Sequence, residues 1–226
     1  MDIQTPPFAF FTAGINKHTI PSDFSGYIEE LQELLNIYQS ATKEISTKLE
    51  ILNDEFQTRH KRNPIHSIKC RVKAPVSIVE KLNRKGYAVS IASARENLAD
   101  IAGIRVVCSY IDDIYTIAGL LTSQDDITLV RQTDYIKHPK KNGYRSLHLV
   151  VEVPVFFSDR TQPVKAEIQI RTIAMDFWAS LDHELRYKAE SPISSDMAER
   201  LRQCAEVIAK TDAEMQEIHR MLQKMD

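Results

Sequence analysis

The chain has 226 residues and a formal net charge of −2, with 29 lysines and arginines against 31 aspartates and glutamates. Hydrophobic residues make up 43% and charged residues 27%, enough for a sizeable core under a polar surface. The sequence holds no run of about 18 apolar residues, so no membrane-spanning helix is predicted. The near-neutral charge argues against a DNA-binding protein and makes RNA an improbable main ligand.

The three cysteines, Cys70, Cys108 and Cys204, are far apart and form no C-x-x-C pair. This spacing disfavours a disulfide framework or a zinc site and is typical of a reducing compartment. The apolar segment at residues 8–11 is too short for a signal peptide. A cytoplasmic location is therefore expected.

In chain order, residues 1–21 are rich in proline, show little periodicity and are predicted to be a flexible tail. Ser22 or Asp23 then favours the start of a helix. Apolar residues recur at three- and four-residue steps from Tyr27 to Phe56, which predicts one long amphipathic helix ending near Asn63-Pro64.

Shorter elements follow this helix. A helix is predicted over residues 75–85, ended by Gly86, and others over residues 112–122 and 172–187. Strand-like runs occupy residues 104–110, 127–130, 147–153 and 164–170. Strands interleaved with helices predict an α+β domain over residues 22–190, with a mixed sheet flanked by helices.

Residues 191–226 form a separate C-terminal helix in this prediction. Its apolar side chains alternate four- and three-residue steps from Met197 to Leu222, a heptad pattern. Such a helix packs on its own domain, for example beside the first long helix, or forms a subunit interface; the pattern leaves both open.

Two common nucleotide-binding motifs are absent. None of the six glycines begins a P-loop or a G-x-G-x-x-G turn, and no His-Asp dipeptide marks a metal-dependent hydrolase. A nucleotide enzyme with this sequence would have to hold phosphates through lysine and arginine side chains and a metal ion.

Two segments in the first half could supply such groups. Lys73, Ser77 and Lys81 are four residues apart, so a helix would place them on one face, as suits a triphosphate. A solvated basic face is the plainer interpretation. Asp100 precedes a predicted strand and could hold Mg²⁺, or it could be an ordinary turn aspartate beside Gly103.

Two further segments lie in the second half. Lysines and an Asn-Gly turn lead to Tyr144, whose ring could stack on a base, or the segment is a cationic surface loop. Residues 164–172 alternate strictly, so Glu167, Gln169 and Arg171 share one sheet face with neighbours roughly 6.6 Å apart. Two carboxylates among many cations indicate metal-assisted phosphoryl chemistry.

Four segments, in order, resemble the synthetase domain of the RelA/SpoT family: residues 71–73 (RVK), 100–105 (DIAGIR), 142–148 (NGYRSLH) and 167–172 (EIQIRT). The chain resembles the small alarmone synthetases, and residues 44–49 and 63–66 look most like their RelP branch. The resemblance implies a nucleotidyltransferase-like fold and transfer of pyrophosphate from ATP to the 3′-hydroxyl of GTP or GDP. It also implies a homotetramer formed through terminal helices.

The resemblance also assigns residues. It implies that Arg71 and Arg105 enclose the adenine of ATP, while Lys73, Ser77 and Lys81 hold its phosphates. Asp100 and Glu167 would bind Mg²⁺, with Glu167 as the general base. The remaining residues implied for the acceptor site are Tyr144, stacked on guanine, with Lys137, Lys140, Asn142, His148, Gln169, Arg171 and Asp176.

Two other functions fit parts of the sequence. A nucleotide-binding regulator without catalysis would need Tyr144 and the lysines but not both Asp100 and Glu167. A coiled-coil scaffold or RNA-binding oligomer would use the heptad pattern and the lysines at 137–141, although the near-neutral charge speaks against RNA. The presence of both carboxylates favours the enzyme.

Overall fold

The computed structural model describes residues 24–188 and 193–225. The predicted tail, residues 1–21, lies outside them. Within the described ranges the chain forms six helices and five strands: α1 (Phe24–His60), β1 (Ile65–Val72), α2 (Pro75–Lys85), α3 (Ile91–Asn97), β2 (Ala102–Cys108), α4 (Ile111–Thr122), β3 (Thr128–Asp134), β4 (Leu147–Phe156), β5 (Thr161–Thr172), α5 (Ile173–Lys188) and α6 (Ser195–Gln223).

The five strands form one mixed sheet in the order β1-β2-β5-β4-β3. The central pair β2 and β5 is parallel, and the other neighbouring pairs are antiparallel. The predicted α+β class with a mixed sheet is therefore confirmed. Parallel pairing brings the carboxyl ends of β2 and β5 to the same edge of the sheet.

The long first helix predicted from the apolar periodicity is also confirmed. α1 crosses one face of the sheet and packs on β1, β2, β4 and β5. Its side chains Leu34, Ile45 and Leu49 are at most 1% exposed. Burial of each contributes about 1.5–3 kcal/mol, so α1 is a major part of the core.

The two faces of the sheet differ in chemistry because side chains alternate along each strand. On β5, Val164, Ala166, Ile168 and Ile170 are buried in the core with α1 and α4. The intervening Lys165, Glu167 and Gln169 are half-buried on the opposite face. This polar face is where the sequence placed its candidate site.

Two elements were not predicted. β1 was missed because a bulge between Ile65 and Ser67 breaks its alternation and its outer residues are charged or polar. α3 has only seven residues, too few to show a helical period, although Ser90 caps it by accepting a hydrogen bond from the Ser93 amide.

The last helix packs through an unexpected face. Ala205, Asp212 and Gln216 are its buried residues, and it lies against α5 and α4 rather than along α1. Placement beside the first helix was therefore wrong. Three of the heptad positions, Met197, Met215 and Leu222, are 50–57% exposed. No helix in the described part of the chain has the length and apolar character needed to span a bilayer.

Candidate active site

The polar face of the sheet carries a cavity of about 190 Å³. The parallel register sets Gly103 beside Glu167 and Arg105 beside Gln169. A Cβ at Gly103 would lie 3.5 Å from Cγ of Arg71, so the glycine leaves room beside that arginine. The cavity is lined by Lys69, Cys70, Arg71, Asp100, Gly103, Ile104, Arg105, Glu167 and Gln169.

Asp100 and Glu167 both face this cavity, although 67 positions separate them in the sequence. Asp100 lies just before β2, and Glu167 lies in the middle of β5. Their negative charges are close enough that Asp100 raises the pKa of Glu167, against stronger effects that lower it. The structure thus brings the two carboxylates together, as the metal-site hypothesis requires.

Two lysines hold Asp100. The ammonium nitrogens of Lys73 and Lys81 lie 3.0 Å and 2.6 Å from its Oδ2. Burial alone would raise the pKa of Asp100, but hydrogen bonds from Lys81 and Lys73 outweigh it and keep that pKa below its ordinary value. The other carboxylate oxygen, Oδ1, is buried and has no hydrogen-bond partner among the described residues.

The prediction that Lys73, Ser77 and Lys81 share one helix face needs one correction. Lys73 precedes α2, because Pro75 is the first helical residue and Ala74 has extended backbone angles. Lys73 and Lys81 nevertheless meet at Asp100 from the two sides of this turn. Ser77 lies in the first turn of α2, four residues before Lys81 and half-buried.

Glu167 is held from two sides. His148 Nδ1 lies 3.5 Å from Glu167 Oε1, and the Gln169 amide donates a hydrogen bond to Oε2 at 2.9 Å. Burial would raise the pKa of Glu167, but these two neighbours together lower it below the ordinary value. Glu167 is therefore ionised at neutral pH, as a general base must be.

The loop before β4 presents Tyr144 to the same face. Asn142 Oδ1 accepts a hydrogen bond from the Tyr144 amide at 3.2 Å, so this asparagine shapes the turn. The Lys140 ammonium lies 4.6 Å from the ring centres of both Tyr135 and Tyr144. The loop thus places one cation between two aromatic rings.

The structure does not bring all of the predicted acceptor residues together around Tyr144. Lys137 is directed away from Lys140, with its ammonium 5.3 Å from the Tyr115 ring centre and 3.9 Å from Asp134. His148 contacts Tyr144 and Glu167 rather than standing free for a phosphate. Of the predicted acceptor cations, Lys140 and Arg171 lie over the Tyr144 ring, 4.6 Å and 5.1 Å from its centre.

Asp176 links the two halves of the site. Its Oδ1 lies 3.2 Å from an Arg171 nitrogen and 3.5 Å from an Arg105 nitrogen. Burial, followed by the nearby charge of Arg171, lowers the pKa of Arg105. The carboxylate of Asp176 offsets that repulsion and keeps the two guanidinium groups side by side.

Sequence reasoning missed Tyr135. Its ring contacts Tyr144 and His148 edge-on, with centres 6.0 Å and 5.1 Å apart. It lies on the turn after β3, and the only available signal was an aromatic residue close to the lysine-rich loop. Its role depends on the pairing of β3 with β4, which the sequence did not reveal.

The chain was then compared with known proteins. The family model described as "Region found in RelA / SpoT proteins" matches residues 70–192. The GTP pyrophosphokinase YwaC of Bacillus subtilis (strain 168) is 43% identical over 193 residues, covering 85% of this chain and 92% of that protein. This chain belongs to the RelA/SpoT family. All four motifs of the sequence analysis lie within or at the edge of the matched region.

Solved structures agree with this membership. The small alarmone synthetase 1 of B. subtilis bound to its product pppGpp has a TM-score of 0.80 at 36% identity, covering 86% of this chain and 99% of that one. The same synthetase bound to AMPCPP has a TM-score of 0.73 at 32% identity, covering 87% and 99%. This RelA/SpoT-family chain therefore has the fold of the small synthetases along most of its length.

Proposed function

We propose that this chain is a GTP pyrophosphokinase that transfers the β,γ-pyrophosphate of ATP to the ribose 3′-hydroxyl of GTP or GDP. The products are AMP and an alarmone, (p)ppGpp, the signal of the stringent stress response. One observation carries the proposal: Asp100 and Glu167 face one cavity between a lysine pair and the Tyr144 loop. The names of the relatives, a GTP pyrophosphokinase and a synthetase with bound pppGpp, support the same activity.

The donor half of the site is the lysine side. Lys73 and Lys81 would exchange their contact with Asp100 for the phosphates of ATP, with Ser77 on the same helix face. Arg71 and Arg105, which line the cavity from neighbouring strands, would enclose the adenine. Arginine planes stack well on aromatic rings, and lysines act as mobile point charges for phosphates.

The acceptor half is the loop side. The Tyr144 ring would stack on guanine, and Lys140 would move from its place over that ring to the 5′-phosphates. Asn142 shapes the turn before Tyr144. Asp176, which pairs with Arg171, would lie near the edge of the guanine base. Lys137 would have to turn from Tyr115 to reach the acceptor.

The reaction follows from this arrangement. The Glu167 carboxylate takes the proton of the acceptor 3′-hydroxyl, and that oxygen attacks the β-phosphorus of ATP. The bond from the β-phosphorus to the bridging oxygen of the α-phosphate breaks, and AMP leaves with that oxygen. Lys73 and Lys81 neutralise charge on the transferred group, and the site supplies in-line alignment of the two nucleotides.

Magnesium fits the residues present. No group of three or more potential ligands occurs in the described residues, but Mg²⁺ is typically held by one or two carboxylates together with substrate phosphates. Asp100 and Glu167 are such a pair, and Oδ1 of Asp100 has no hydrogen-bond partner within residues 24–188 and 193–225. The ion would stabilise negative charge on the transferring phosphates.

We also propose a cytoplasmic homotetramer. All three cysteines are free, as expected in a reducing compartment. The exposed apolar side chains of α6 include Val207, Met215 and Leu222, which suits burial against another copy. Light scattering should give the mass of four chains, and Met215→Glu should lower it while Glu214→Gln does not. An unchanged mass for Met215→Glu would exclude this face from the interface.

Product analysis tests the activity. The protein is mixed with Mg²⁺, ATP and guanine-labelled GTP, and the nucleotides are separated. Equal amounts of AMP and a guanosine nucleotide carrying a 3′-diphosphate are expected. Release of ADP would indicate transfer of one phosphate, and binding without any product would favour a non-catalytic regulator; either result would overturn the proposal.

A further inference from the structure

Five side chains, the proposed base Glu167 among them, form a closed ring of contacts. An Arg171 nitrogen donates hydrogen bonds to the Tyr144 hydroxyl at 2.7 Å and to Gln169 Oε1 at 2.6 Å. The Tyr144 hydroxyl lies 2.8 Å from His148 Nε2. His148 Nδ1 and Gln169 Nε2 then reach the two oxygens of Glu167, at 3.5 Å and 2.9 Å.

The chemistry of the two ends sets the direction of the hydrogen bonds made by Arg171 and of the one that Gln169 makes to Glu167. A guanidinium group only donates hydrogen bonds, and an ionised carboxylate only accepts them. Because the Tyr144 oxygen accepts from Arg171, its own hydrogen is free for His148 Nε2. In the neutral tautomer whose Nε2 accepts this hydrogen, the ring N–H is on Nδ1, the nitrogen facing Glu167.

Two arms therefore run from Arg171 to Glu167. One passes through Tyr144 and His148 to Oε1, and the other passes through Gln169 to Oε2. Arg171 is only 3% exposed and is anchored by Asp176, so the arms start from a fixed point. The sheet register sets the rest, since His148 lies directly opposite Gln169 across β4 and β5.

We propose that Arg171 and the hydroxyl of Tyr144 are positioning residues, which orient the Glu167 carboxylate through two converging arms. One arm ends in the hydrogen bond from Gln169, and the other ends in the 3.5 Å contact of His148 Nδ1. The inference rests on the proposed function, in which Glu167 is the general base. Tyr144 then has two separate roles: its ring stacks on the guanine base, and its hydroxyl orients the Glu167 carboxylate. Acceptor recognition and proton removal then share one side chain.

The ring and the hydroxyl can be separated by mutation. Tyr144→Phe keeps the stacking surface and removes only the oxygen that joins Arg171 to His148. If Tyr144 acts through its ring alone, this variant keeps both kcat and KM. If the arm through Tyr144 orients Glu167, its removal leaves Oε1 without an ordered donor while the acceptor still binds. The value of kcat then falls and KM stays unchanged.

The test compares kcat, KM for GTP and the affinity for GDP of the full-length protein. For Tyr144→Phe we expect kcat to fall about tenfold, the effect of one buried hydrogen bond, with KM and GDP affinity within about twofold of the parent. Tyr87→Phe is the matched control, since Tyr87 lies on the exposed turn after α2, and it should behave like the parent.

A second variant tests the other arm. Gln169→Met removes the donor to Oε2 and should also lower kcat with little change in KM. Because each arm partly compensates for the other, the double variant should lose more than the product of the two single losses. Strictly multiplicative losses, or an unchanged kcat for Tyr144→Phe, would overturn the proposal.

The same measurements distinguish a failure of the proposed function from a failure of the positioning role alone. If the parent protein makes no alarmone, the proposed function fails and the positioning role fails with it. If the parent makes alarmone and Tyr144→Phe retains its kcat, or raises only KM, the positioning role alone is wrong and Tyr144 acts through its ring.

Discussion

The Lys81 ammonium lies 2.6 Å from Oδ2 of Asp100, the carboxylate proposed to hold the metal. Lys73 reaches the same oxygen at 3.0 Å. Two cations therefore neutralise the carboxylate when no nucleotide is bound, and the triphosphate of ATP would take them over. This exchange keeps a buried acidic group paired in both states.

We expect Lys81→Gln to weaken binding of a non-hydrolysable ATP analogue about tenfold, which corresponds to about 1.4 kcal/mol. The variant loses one phosphate-binding charge, while Lys73 still pairs with Asp100 and the fold survives. Isothermal titration calorimetry with AMPCPP and Mg²⁺ measures the change. Lys85→Gln, at the exposed end of the same helix, serves as the control; equal affinities for the two variants would contradict the assignment.

Gly143 shows why the acceptor loop depends on α6. Its φ is +90°, and a Cβ at this position would lie 2.5 Å from the Cβ of Ala205. Arg145 adds hydrogen bonds to the Gly143 and Ala205 carbonyl groups, at 3.2 Å and 3.4 Å. The turn that carries Tyr144 is therefore fitted directly against the last helix.

Gly143→Ala should impair acceptor use much more than donor binding. A left-handed residue with a side chain costs about 1 kcal/mol or more, and the contact with Ala205 adds to that cost. We expect a raised KM for GTP with near-parental AMPCPP affinity. Adding Ala205→Gly removes the clash but not the backbone strain, so it should restore part of the loss; a parental KM in Gly143→Ala would show that the turn tolerates a side chain.

Adjacent aspartates on α4 offer a matched stability test. Asp113 accepts two hydrogen bonds from Arg62, at 2.9 Å and 2.5 Å, and its side chain is 5% exposed. Asp112 pairs with Arg220, where both side chains are 49% exposed. The Asp113 carboxylate is shielded from water and its partner Arg62 is 30% exposed, whereas both members of the second pair are half exposed.

Asp113→Ala should lower the free energy of unfolding by about 3 kcal/mol, because it leaves the Arg62 charge without its partner and removes the hydrogen bond to the Tyr110 amide. Asp112→Ala should cost less, about 1–2 kcal/mol, because it removes an exposed ion pair and the hydrogen bond from Gln216 Nε2. Urea unfolding measures both. A larger loss for Asp112→Ala would reverse this ranking of the two pairs.

Strict alternation made β5 readable in the sequence, and helical periodicity did the same for α1. β1 escaped because its bulge shifts the alternation by one residue, and its charged side chains belong to the site rather than to the core. α6 showed a heptad pattern, yet it packs on the domain through Ala205, Asp212 and Gln216. Buried polar residues on a helix are invisible to a hydrophobic pattern.

Part of the candidate site could likewise be predicted from the sequence, and part of it could not. The motifs named the residues, and alternation put Glu167, Gln169 and Arg171 on one face. The sequence did not reveal that His148 lies opposite Gln169, because strand register depends on the whole sheet. The closed ring of contacts that joins Tyr144 to Glu167 follows from that register. The position of Tyr135 depends on strand register as well.

The central claim is that Glu167 removes the proton from the acceptor 3′-hydroxyl. The most direct measurement is the rate of alarmone formation by Glu167→Gln at saturating ATP, GTP and Mg²⁺, together with its affinities for AMPCPP and GDP. The account predicts a rate at least about a hundredfold below the parent, with both nucleotides still bound. A variant that forms alarmone at a near-parental rate would contradict it.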